Sequence, residues 1–446
     1  MDKAKKSVKW DVLLISPGSR TFYGEPRYPM GGISMVGAVL RERGNKVQAL
    51  DMRFSSVNDE DFKSKLQAAD VKVVGFTVTN WDVLEAVRLA SIVKAYNPEI
   101  KTVFGGPQAS LCPNETIAYN DVDVVVKGEG EGPIVALLEA LENDLPLRDV
   151  AGLTFKDSDG KIIHTNPSQI IKDLSSLPWP AYDLFDLKRY FAFGERKMGI
   201  TGSRGCPFGC TFCTSYSVMG KATRYRDPDD VLAEIKYWNE TAQVTHFQFQ
   251  EDNFLGSRSK ARAFLDALEK NPLPITYALE VGVRADALTP EICQKLKKTG
   301  CAAVAIGVES SDPEVLKLVD KGEDIETITK GIRAAKEAGL FIKGYFIVGL
   351  PGDSKEKVKK SVEYARDEEI DLPRFALVQS FPHSKLTDWV EKMVTFIMIL
   401  MNILSRIQMS FIVMFISTSP DFRKKKYGNP IFGHMTRQNL WHLSRP

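Results

Sequence analysis

The chain has 446 residues, 43% of them hydrophobic and 26% charged, which is the balance of ordinary globular protein and length enough for two or three domains. Its 59 Lys and Arg nearly match 57 Asp and Glu, so charge gives no reason to expect a nucleic-acid partner. No basic region followed by an apolar stretch opens the chain, which argues against a secretory signal and for a cytoplasmic location.

In chain order, the first 145 residues alternate strand and helix patterns. Apolar runs predict strands at Val12–Ile15, Val47–Leu50, Val71–Val78, Lys101–Phe104 and Val122–Val126. Helix patterns cover Gly32–Arg43 and Val83–Tyr96. This alternation predicts an α/β fold, with a Rossmann-like open parallel sheet over residues 1–148 and ligands at the carboxyl ends of its strands. Residues 149–197 read as a connector: a hairpin at 151–164 turning on Asp157–Gly160, then a stretch broken by Pro178 and Pro180.

A second alternation fills 198–392. Strands are expected at Met198–Thr201, His246–Gln250, Tyr277–Val283, Ala302–Val308, Phe341–Val348 and Phe375–Gln379, with helices at Pro228–Asn239, Pro290–Lys298, Ile325–Ala338 and Ser354–Arg366. Six such units suit a partial (β/α)6 TIM-type barrel, whose chemistry sits where the strands end. Residues 393–446 break the pattern: 393–416 is apolar, and Asp421 is the sole acidic residue after Lys392. Two readings stay open for this tail, a peripheral membrane association or a replaced or out-of-frame terminus. A membrane span is not expected, because Arg406 near its middle would cost about 2.5–3.5 kcal/mol.

Three of the six cysteines fall in one run, Gly202-Ser203-Arg204-Gly205-Cys206-Pro207-Phe208-Gly209-Cys210-Thr211-Phe212-Cys213. Disulfides would spread the cysteines and suit a smaller secreted chain. Closely spaced thiolates hold iron–sulfur clusters, and three ligands to a four-iron cubane leave one iron open. A zinc site would want a fourth Cys or His nearby, and the next histidine is His246. Three unrelated buried cysteines are the bland alternative.

CxxxCxxC after a first barrel strand, with Phe212 before the last cysteine, resembles the radical S-adenosylmethionine superfamily. The likeness continues through Gln250-Glu251-Asp252-Asn253-Phe254, Gly307-Val308-Glu309-Ser310 and the glycine-rich run Gly344–Gly352. It implies a 4Fe-4S cluster on Cys206, Cys210 and Cys213. It further implies that S-adenosylmethionine meets Phe212, Glu251, Asp252, Arg284, Glu309, Ser310 and Gly349, and that an electron donor such as a flavodoxin or ferredoxin serves the cluster. Read as residues alone, Glu251, Asp252 and Glu309 stand equally as helix caps, and Arg284 as an ion pair. Tyr216 fits a core position or the substrate cavity.

The first domain resembles the cobalamin-binding domain that precedes many such barrels. The matching runs are Tyr28–Ile33, Gly75–Thr79, Gly105–Ser110 and Lys127–Glu131, which nominate Gly31, Gly32, Thr77, Thr79, Gly105, Gly106, Gly128 and Glu129 as cobalamin contacts. Glycines at a strand end let a flat, bulky group lie against the backbone. No histidine precedes His164, so the domain offers cobalt no histidine ligand. The resemblance is to the group holding anaerobic magnesium-protoporphyrin cyclases and hopanoid methylases. It implies an enzyme that methylates or oxidatively cyclises an unactivated carbon of a small-molecule, lipid-like or tetrapyrrole substrate. Methylthiotransferases share the barrel but carry a second N-terminal cysteine triad, and only Cys112 lies in the first 205 residues. A non-catalytic cobalamin or redox sensor is the alternative from another class.

Overall fold

The computed structural model describes residues 10–18, 26–67, 70–191 and 194–393. In the first domain β1 (Asp11–Ser16), β2 (Val47–Asp51), β3 (Val71–Thr77), β4 (Lys101–Gly105) and β5 (Val124–Val126) pair in parallel in the order β2-β1-β3-β4-β5. Helices cover both faces of such a sheet, which is why its strands read as nearly unbroken apolar runs; Leu13, Ile15, Val73, Val74 and Phe104 have no measurable exposure. Chain order reverses between β1 and β3, and the crevice outside their carboxyl ends is where ligands of open α/β sheets bind.

The hairpin β6 (Leu153–Lys156) and β7 (Ile162–His164) pairs antiparallel onto β5 and extends this sheet to seven strands. Part of the stretch read as connector therefore completes the first domain, because β5 offers an unpaired edge that the hairpin's backbone satisfies. Further along the same stretch Phe185 and Tyr190 pack in the first core and Tyr182 in the second.

The second sheet is built from β8 (Lys197–Ile200), β11 (His246–Phe249), β12 (Thr276–Val283), β13 (Cys301–Glu309), β14 (Phe341–Val348) and β15 (Leu372–Leu377). All five pairings are parallel, in chain order, giving an open six-stranded barrel wall. A two-stranded ladder, β9 (Ser203–Arg204) with β10 (Arg224–Tyr225), stands at its mouth. Side chains alternate across the wall. Phe247, Phe249, Ile342 and Phe346 join the core under the outer helices, which leaves Gln248, Lys343 and Tyr345 on the lumen face. Both sheets belong to one unit that ends at Trp389.

The last strand begins three residues before the expected Phe375, at Leu372. It is the exposed edge, with Pro373 inside it, so its sequence lacks the apolar run of a covered strand. The apolar tail expected from 393 onward lies outside the described residues apart from Met393. Among the described residues no helix is long and apolar enough to cross a membrane.

Candidate cluster and cofactor site

After β8 the chain passes Thr201 and Gly202 and enters β9; residues 205–223 then form a loop closed at its base by the β9–β10 ladder. All three cysteines sit on it, half-buried and unpaired in disulfides. Gly205 has φ +91, and a Cβ there would lie 2.5 Å from the Ala222 carbonyl oxygen, so only glycine fits. Within the loop the Cys213 amide donates to the Cys210 carbonyl at 3.1 Å. Thr211 ties it outward, its amide to Val319 O and its carbonyl to the Leu386 amide, both at 2.9 Å. Phe212 packs on Val315, Val319 and Leu350.

Burial pushes all three thiols up, Cys213 to about 11, while Arg284 and Lys321 pull Cys206 and Cys210 back down. Iron binding would therefore release protons from this loop. Among the described residues no three Cys, His, Asp or Glu side chains converge closely enough to hold a single metal ion. A cubane is held by thiolates that bind separate irons.

Polar atoms without partners gather around the loop. Ser203 Oγ, Thr211 Oγ1, Ser215 Oγ, Glu251 Oε2 and both side-chain atoms of Asn253 are buried with no hydrogen bond. Native interiors leave few such atoms, so a concentration of them marks room for a polar ligand. Glu251 follows β11; one oxygen accepts from the Gly202 amide, and burial pushes its carboxyl up to about 8. It caps no helix: the 3-10 turn Phe254–Gly256 has Asn253 at its N-cap and the helix Arg258–Lys270 has Ser257. Asp252 is half-buried, and its charge acts on Cys206.

The fourth-strand end is a buried charge cluster. Glu309 sits at φ +64 and pairs with Lys321 at 3.3 Å, and Lys321 reaches Glu323 at 3.5 Å. Arg284 donates to the Lys321 and Gly322 carbonyls at 2.7 and 2.9 Å and lies 3.7 Å over the Phe208 ring. Its guanidinium thus links residues 321–322 to the Phe208 ring of the cluster loop. The Ser310 hydroxyl accepts from the Asp312 amide at 3.2 Å, as at the start of a helix. Gly349, at φ +91, donates its amide to Asp353 at 2.8 Å. Lys321 and Asn253 were not singled out from sequence; Asn253 lay within a quoted motif, and Lys321 gave no signal.

In the first domain Gly31 and Gly32 open the helix Gly31–Glu42, and a Cβ on Gly32 would meet nothing within 4 Å. Gly106, at φ +95, fills the gap between β4 and the end of β3: a Cβ would lie 2.9 Å from Val78 O and 3.1 Å from Thr77 Oγ1. Gly32 and Gly105, where a Cβ would meet nothing closer than 3.9 Å, leave backbone uncovered, which fits a flat macrocycle lying on it. Two nominated contacts are engaged elsewhere. Thr79 bonds Asp82 through both amide and hydroxyl, at 2.6 and 3.0 Å. Glu129 pairs with Arg204 and Arg224 at 3.1 and 2.9 Å. Gly128, at φ +72, donates to Ser110 Oγ.

Residues 200–365 match the family described as Radical SAM superfamily, and residues 25–138 the B12 binding domain. The chain is 27% identical over 362 residues to an uncharacterized methyltransferase of Pyrococcus horikoshii, covering 81% of this chain and 78% of that one. It is 25% identical over 385 residues to the anaerobic magnesium-protoporphyrin IX monomethyl ester cyclase of Rubrivivax gelatinosus, covering 82% and 69%. Among solved structures, the radical S-adenosylmethionine methyltransferase TsrM from Kitasatospora setae superposes with a TM-score of 0.71 at 19% identity, covering 84% of this chain and 74% of that one. The chain thus carries a Radical SAM superfamily domain over residues 200–365, preceded by a B12 binding domain over residues 25–138.

Proposed function

We propose that the protein is a cobalamin-dependent radical S-adenosylmethionine enzyme that methylates or oxidatively cyclises an unactivated carbon of a small molecule. The observation that carries this reading is the three-thiol loop at the barrel mouth, ringed by partnerless polar atoms, on a chain whose first domain ends in a bare glycine edge. Cys206, Cys210 and Cys213 would hold a 4Fe-4S cluster; Glu251, Asp252 and Asn253 would face S-adenosylmethionine; Gly31, Gly32, Thr77, Gly105 and Gly106 would cradle cobalamin. When bound, these groups supply the electron, the radical source and the methyl carrier or redox centre. The protein's part is to orient and to exclude water. Phe212 anchors the loop to the apolar cluster of Val315, Val319 and Leu350.

The lumen supports a substrate with hydrogen-bonding groups. Lys343 pairs with Glu280 across the small residues Ala303 and Ala305 of β13. Tyr345 donates to the Glu280 carbonyl at 2.7 Å, and Gln250 to Tyr28 Oη at 2.9 Å. Strand alternation, with Tyr277 and Leu279 in the core, puts Glu280 on the lumen face. A flavodoxin or ferredoxin would deliver the electron. The test is anaerobic incubation of the reconstituted protein with S-adenosylmethionine and a chemical reductant. Release of 5′-deoxyadenosine is expected; none from protein with a full cluster would contradict the reading.

A further inference from the structure

We propose that Glu129 is a positioning residue for the cluster loop: its carboxylate, carried by the first domain, fixes the two arginines at the loop's base and so sets the spacing of the three thiols. This rests on the reading of Cys206, Cys210 and Cys213 as cluster ligands. The loop leaves the protein body at β9 and returns at β10, and Arg204 and Arg224 stand directly opposite each other in that ladder. Like charges facing across an antiparallel pair repel. Both are withdrawn from water, with side chains 14% and 10% exposed, so the repulsion is poorly screened.

The compensating carboxylates come from the first domain. Glu129 accepts from Arg204 at 3.1 Å and from Arg224 at 2.9 Å through each of its oxygens. Glu131 takes the other arm of Arg204 at 2.6 Å. Gly128 at φ +72 makes the turn that carries Glu129, only 4% exposed, to this place. A third contact, the Ile171 amide at 2.9 Å, fixes the same carboxylate. Arg224 also donates to the Met219 carbonyl inside the loop at 2.9 Å, and Arg204 lies two residues before Cys206. One carboxylate thus holds the loop at both ends. Two buried cations meet two buried anions, so neutralising Glu129 leaves one cation uncompensated and drives the base of the loop apart.

The test uses full-length Glu129→Gln beside wild type. On the apo-protein, the rate at which a thiol reagent labels Cys206, Cys210 and Cys213 is followed by mass spectrometry. After anaerobic reconstitution, iron and sulfide content and the electron paramagnetic resonance spectrum of the reduced cluster are read with and without S-adenosylmethionine. The variant is expected to label several-fold faster at these three thiols, to load less than half the wild-type iron, and to give an altered spectrum. Adding Arg224→Gln removes the surplus cation and is expected to restore loading towards wild type. Glu131→Gln, which touches Arg204 alone, is expected to show a smaller change of the same kind and carries the test where Glu129→Gln does not fold. A lowered melting temperature with unchanged labelling, iron content and spectrum would overturn the inference. Wild-type protein that loads no cluster would instead overturn the cluster reading beneath it.

Discussion

Glu251 is a buried carboxyl with only one oxygen satisfied. One oxygen holds the Gly202 amide, the other has no partner, and the side chain is cut off from water. Burial raises its pKa from the ordinary 4.5 to about 8, so between those values the folded chain keeps a proton the unfolded chain has lost. Its contribution to stability is full below pH 4.5 and falls as pH rises through 8, by about 1.4 kcal/mol per unit across the window. Glu251→Gln keeps an acceptor for Gly202 and removes the titration. Urea unfolding of the cluster-free protein from pH 5 to 8 is expected to show a flatter stability profile for the variant than for wild type. Parallel profiles would mean that Glu251 ionises in the fold as it does in water. The same residue shows what spacing cannot reveal: the sequence offered a cap or a cofactor contact, and the structure uses one oxygen to hold the entrance of the cluster loop.

The elements around the site were legible where packing leaves a strong pattern. Strands covered on both faces read as apolar runs, and the helices Val83–Tyr96 and Pro290–Lys298 match their expected bounds. The helix Arg258–Lys270 buries Ala261, Phe264, Leu265 and Leu268, an i, i+3, i+4, i+7 stripe on an otherwise charged segment. The partners of Glu129 and Arg284 were not legible either, since Arg204 lies 75 residues from Glu129 and Lys321 lies 37 from Arg284, and nothing local announces the pairings. Helix Pro228–Ala242 is docked in the same hidden way. Glu234, fully buried, pairs with Arg226, which also holds the Thr201 carbonyl at 2.9 Å and Asp230 at 2.8 Å. Glu234→Ala would strand a buried cation next to the strand that leads into the cluster loop, with Asp230 as its remaining carboxylate. A loss of about 3 kcal/mol is expected, read as a lower urea midpoint with unchanged slope. A change under about 0.5 kcal/mol, the range of ordinary surface substitutions, would show that Asp230 alone holds Arg226.

For the molecule as a whole, the two domains are joined by more than the chain that links them. Tyr28 of the first domain meets Gln250 of the barrel, and the Lys127–Glu131 turn grips the base of the cluster loop. The Tyr190 hydroxyl, from the segment between the sheets, donates to Asp51 at 2.7 Å. The Glu129 and Glu131 contacts converge on the base of the loop that carries the three thiols. The measurement that decides most is the iron and sulfide content of anaerobically reconstituted protein, wild type beside the variant with Cys206, Cys210 and Cys213 all changed to Ala. Wild type is expected to carry about four irons and four sulfides per chain and the triple variant none. A triple variant that keeps a full cluster, or wild type that takes up zinc in place of iron and sulfide, would contradict the assignment of these thiols.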